Sequence, residues 1–100
     1  MRKSCESRLH VNKQELEVIA SLSSDKSRFV VRIPKSEADK INIGQFCSDL
    51  LGKESWSANG GLGILISPHG FVQLEFKHQP NLSIATEMAR VRSLIMSLTW

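Results

Sequence analysis

A chain of 100 residues with 41% hydrophobic and 23% charged side chains has the composition of one globular domain and excludes wholesale disorder. A net charge of +3 excludes a mimic of DNA, which needs a dense negative field, and is compatible with either a nucleic acid or an acidic protein surface as partner. No apolar run approaches the ~20 residues of a membrane helix, and Met1-Arg-Lys-Ser is not followed by the apolar stretch of a secretory signal.

Residues 1–8 are polar and aperiodic and are expected to form a flexible terminus ahead of a single α+β domain over 9–100. Its Arg2, Lys3 and Arg8 are either a solvated end or a reach toward a polyanion. Residues 9–22 admit two readings. Asn12 with Glu15 resembles a capping box and Lys13-Gln-Glu-Leu are good helix formers. Leu16, Val18, Ala20 and Leu22 alternate instead, and a strand from about Glu15 to Leu22 is the favoured reading. Ser27–Ile33 is expected as its hairpin partner, with Phe29, Val31 and Ile33 on one face and Arg28, Val30 and Arg32 on the other. Pro34 ends this strand by removing an amide donor.

A helix is expected to start near Ser36, to break at Asn42-Ile43-Gly44 and to restart with Asn42 as its cap. Ile43, Phe46, Cys47, Leu50 and Leu51 then form a buried helical face, and Gly52 stops it. Residues 52–63 hold 4 of the 6 glycines and read as the longest loop. Trp56 in its middle either folds back over the core or stands out as a binding anchor. The next stretch, Gly63–Phe76, reads as a hairpin. Pro68 and Gly70 supply the turn, Val72, Leu74 and Phe76 alternate with Gln73 and Glu75, and Ile64-Leu65-Ile66, apolar throughout, is expected to lie centrally or to be covered on both faces. Ser83 caps the last helix, Glu87 complements its dipole, and Ile84, Met88, Val91, Ile95 and Leu98 make its apolar stripe. The expected architecture is therefore a small antiparallel sheet of about four strands, two β-hairpins in ββα-ββα order, with helices on one face.

The chemistry-bearing residue types are sparse. Cys5, Cys47, His10, His69 and His78 show no metal-ligand spacing, and Cys47 belongs to an apolar face, so neither a metal nor a disulfide is expected and a reducing, cytoplasmic setting fits. No nucleophile elbow is present, and His69 sits at a hairpin tip. Asn59-Gly-Gly-Leu-Gly63 precedes a strand, whereas a phosphate loop opens a helix, so no cofactor is expected and the chain is not read as an enzyme.

Binding is the remaining class. Arg28 and Arg32 share a strand face and Lys26 and Lys35 flank them, which reads either as a phosphate-contacting stripe or as a solvated face guarding an edge. The segment Arg28-Phe-Val-Val-Arg-Ile-Pro-Lys-Ser-Glu-Ala-Asp-Lys-Ile41 resembles the strand and helix entry of ribbon–helix–helix DNA-binding proteins. The resemblance implies that Arg28, Val30 and Arg32 face the major groove and that two chains pair their strands. It covers about a seventh of the chain, Gly44 interrupts the helix that should follow, and the second hairpin and terminal helix have no place in that motif. The expectation carried forward is a non-enzymatic accessory protein docking on a larger partner, a protein first and one of a nucleic-acid-processing assembly as a candidate, through Trp56, His69, Arg90 and Trp100. Direct nucleic-acid binding through Lys26, Arg28, Arg32 and Lys35, in the manner of a transcriptional or DNA-metabolism regulator, is the alternative, and a homodimer is compatible with either.

Overall fold

The computed structural model describes residues 4–99, the last two of them by backbone only. Its elements run β1 (Ser4–Val11), β2 (Gln14–Leu22), β3 (Arg28–Ile33), α1 (Lys35–Ala38), α2 (Ile43–Leu51), α3 (Glu54–Ala58), β4 (Gly61–Ile66), β5 (Val72–Lys77) and α4 (Ile84–Thr99). The protein is α+β, with a five-stranded sheet in the order β1-β2-β3-β5-β4 in which every pairing is antiparallel.

The expected pairs β2–β3 and β4–β5 are present, and a fifth strand corrects the four-strand, ββα-ββα plan. Ser4–Arg8, expected to be flexible, belong to β1; Arg2 and Lys3 lie outside the described residues. The physical reason is a tight turn. Asn12 and Lys13 take left-handed φ values of 50° and 69° between Val11 and its partner Gln14, the geometry of a two-residue hairpin. Asn12 is thus a turn residue rather than a helix cap. β1 then alternates exposed charge with buried Leu9 and Val11.

One face of the sheet carries Leu9, Val11, Leu16, Val18, Ala20, Phe29, Val31, Ile33, Val72, Leu74 and Phe76, and the helices cover it with Phe46, Cys47, Leu50, Trp56, Met88, Val91, Leu94 and Ile95. The helix break comes where expected: the Asn42 side chain accepts the Gln45 amide at 3.1 Å, and Gly52 closes α2. Two details differ. α1 begins after Pro34 with no side-chain cap, and Leu51 is exposed. Ser83 accepts the Thr86 amide at 3.1 Å and starts α4.

Residues 52–63 are not one loop, because α3 occupies five of them. It seats Trp56 in the core at 5% exposure, 5.0 Å from the Phe76 ring. The indole lies against Gly61 so closely that a Cβ there would meet ring carbons at 2.4 Å. Cys47 is also core, and burial pushes its thiol above the ordinary value.

Candidate docking edge

β4 is the surprise. Ile64-Leu65-Ile66 lies at the rim of the sheet, neither central nor covered on both faces. Each property of the strand follows from local sequence. The Ser67-Pro68-His69-Gly70 turn, with Gly70 at φ 93°, is closed by Gly70 N–H to Ser67 C=O and Ser67 N–H to Phe71 C=O, both 2.9 Å. At the other end Lys77 N–H donates to Gly60 C=O at 2.7 Å, and a bulge between Gly61 and Gly63 leaves Leu62 as an extra residue.

These end bonds set the parity of the ladder. Ser67 bonds β5, so by antiparallel alternation Leu65 and Gly63 do too, while Ile64 and Ile66 aim their N–H and C=O groups at the free edge. The other side of β5 agrees, since His78 N–H donates to Ser27 C=O toward β3. Leu62, Leu65 and Ile66 are 52%, 52% and 55% exposed, and β4 carries no charged residue.

The remaining strand edges are managed differently. The outer edge of β1 carries Glu6, Arg8 and His10, and Arg92 of α4 reaches it, donating to the Arg8 carbonyl at 3.3 Å and to Ser7 Oγ at 2.7 Å. β2 runs past the end of β3, and there Glu37 of α1 accepts the Glu17 amide at 2.8 Å. That bond, with Lys40 at 3.0 Å, holds the Glu37 carboxyl below its ordinary value. Among the described residues no side chain takes the outward groups of Ile64 or Ile66. An unpaired, uncharged, apolar edge strand is a template for pairing with another chain.

The residues expected to bind fall elsewhere. Trp56 is a core residue, which removes it as an exposed anchor. His69 is exposed at the β4–β5 turn, at the opposite end of β5 from Arg90. Arg90 is half-buried and lines a cavity of ≈ 10 Å³ with Asn59, Phe76, Lys77 and Glu87, room for about one water. Trp100 lies outside the described residues. Trp56, His69 and Arg90 do not form one surface.

Arg28, Val30 and Arg32 do share the open face of the sheet, but the face is internally paired. Arg28 forms an ion pair with Glu75, which also accepts from Gln73 at 2.9 Å. Arg32 donates to Gln73 at 3.4 Å and lies 4.6 Å over the Phe71 ring. Lys35 pairs with Asp39 at 2.9 Å, and Lys26 is exposed in the β2–β3 loop at φ 60°. β3 sits between β2 and β5, so it has no free edge for the strand pairing that the ribbon–helix–helix resemblance implies.

One histidine–carboxylate pair joins a partly buried ring to a buried carboxylate. His78 Nδ1 is 2.9 Å from both Glu87 oxygens, and Glu87, 4% exposed, also accepts the Gln79 amide at 2.8 Å. Glu87 thus fastens the end of β5 to the first turn of α4, a closer role than the dipole partner its sequence position suggests. Among the described residues no hydroxyl or thiol is hydrogen-bonded to that ring. No group of three or more potential metal ligands occurs among the described residues, nor any helix long and apolar enough to cross a membrane.

The class these observations define is an antiparallel α+β sheet with helices on one face and an uncharged, apolar rim at β4. No family model matches the chain, and no curated protein or solved structure does either.

Proposed function

We propose that the protein is a non-enzymatic docking module that binds a protein partner by adding a strand of that partner to β4. One observation carries this reading: of the sheet's exposed edges, β1 is lined by Glu6, Arg8 and His10 with Arg92 on the Arg8 carbonyl, and the overhang of β2 by Glu15 and Glu17 with Glu37 on the Glu17 amide, while β4 has no charge and offers the outward groups of Ile64 and Ile66 and three half-exposed apolar side chains. In strand addition, main-chain hydrogen bonds supply affinity and alternate side chains supply selectivity. A regulator or accessory subunit of a larger assembly works in this way, with its own fold left intact.

The test uses two baits, the wild-type chain and Ile66→Pro, which removes an outward amide from the edge. Recovery of a protein by the wild type and its loss with Ile66→Pro is the expected result; equal recovery refutes docking at β4. A labelled oligonucleotide at low salt supplies the control. Binding that falls steeply with salt and disappears in Arg28→Ala/Arg32→Ala would replace this reading with direct nucleic-acid binding.

A further inference from the structure

We infer that the occupant of β4, when no other partner is present, is β4 of a second copy, paired antiparallel about a two-fold axis through Ile64. The inference rests on the reading of β4 as a strand-accepting edge and names one partner for it. A two-fold pairing requires that the same residues offer donor and acceptor from both copies. Ile64 does so: its N–H and C=O both face outward, and on the axis it exchanges two hydrogen bonds with Ile64 of the second copy.

This register also gives Leu65 and Ile66, the exposed side chains of the regular part of the ladder, neighbours in the second copy. Leu65 comes opposite Gly63 of the second copy, a close pair without hydrogen bonds, on the open face. A Cβ at Gly63 would find nothing within 4 Å, so the glycine leaves a vacancy that a leucine from the other copy fills. Ile66 comes alongside Leu62 of the second copy, and both are half-exposed in the single chain. Charge permits the contact as well. Two chains of net charge +3 repel, but no charged residue of β4 opposes its like across the axis.

The paired strip, residues 62–66 of each copy, is about 16 Å long at ~3.3 Å per residue. It falls among small interfaces of under about 1,200 Å² in total, which makes the dimer reversible and concentration-dependent.

Sedimentation velocity from about 1 μM to about 1 mM reads this directly. The wild-type mass is expected to rise toward twice the monomer's and not to fall with added salt, which screens the repulsion of the two +3 chains and breaks no ion pair of β4. Ile66→Pro and Gly63→Lys are both expected to stay monomeric, in dilute solution Gly63→Lys with the wild-type melting temperature and Ile66→Pro with only the small decrease that its lost side chain brings. Gly63→Lys fills the vacancy, and its new side chain starts in open space opposite Glu75, so the fold tolerates it. A wild type that is monomeric throughout overturns the second copy as occupant and leaves docking of other proteins to its own bait comparison. A dimer that persists in both variants, or dissolves with added salt, also overturns it.

Discussion

Proline scanning of two adjacent residues tests the parity on which β4's role depends. Leu65 and Ile66 are nearly equally exposed, at 52% and 55%, so replacing either side chain removes a similar half-buried apolar area, worth about 1 kcal/mol. Their backbones differ. By the alternation set by Ser67 N–H to Phe71 C=O, the Leu65 amide donates to Gln73, and Leu65→Pro breaks that bond and strands a carbonyl inside the sheet. The loss is about 1 kcal/mol for the bond and about 1–3 kcal/mol for the unsatisfied group. The Ile66 amide faces out and bonds nothing within the chain, so Ile66→Pro loses only the side-chain contribution, partly offset by a stiffer unfolded chain. The two variants are expected to differ by roughly 2–4 kcal/mol, or at least about 8 °C in melting temperature at ~4–8 °C per kcal/mol. Thermal and urea unfolding in dilute solution measure this. Equal destabilisation, or a greater loss in Ile66→Pro, would show that Ile66 bonds β5 and that the outward groups are not where the ladder puts them.

Two further outcomes follow from the core and from the β2–β3 loop. Gly61→Ala drives a Cβ to 2.4 Å from the Trp56 ring, and overpacking of that order is expected to cost about 1–3 kcal/mol, with a change in tryptophan fluorescence as the indole shifts; an unaltered melt would mean that Trp56 is not held in the core. Asp25 accepts from Ser23 Oγ and Ser27 Oγ, each at 2.7 Å, and from the Ser27 amide at 3.0 Å, which lower its carboxyl from 3.8 to about 2. A depressed carboxyl stabilises the fold above its unfolded value and loses that contribution as pH falls through the folded one. The melting temperature of the wild type should therefore drop more than that of Asp25→Ala between pH 3.8 and about pH 2. Parallel curves over that window would contradict the bonding of this loop.

What the sequence by itself determined is local. Pro68 and Gly70 dictate a turn, Asn42 caps a helix whose break Gly44 announces, and the spacing of Met88, Val91 and Ile95 builds the buried stripe of α4. The alternation of Arg28-Phe-Val-Val-Arg-Ile assigns each side chain its face. These are properties of dihedral preference and of periods of 2 and 3.6, which a few neighbouring residues carry among themselves. Asn12-Lys13 shows the limit even there, because the same residues offer a helix start or a hairpin turn and only the pairing of β1 with β2 selects the turn. What lies beyond the chain's local order was decided in three dimensions. An all-apolar Ile64-Leu65-Ile66 suits a central strand, yet the order β1-β2-β3-β5-β4 puts it at the rim, since β5 spends its other side on β3. Arg28 meets Glu75 and His78 meets Glu87 across gaps of 47 and 9 residues. The choice of strand neighbours is a sum over distant contacts, and it alone settles which backbone groups are satisfied inside the sheet and which are left on offer at its edge.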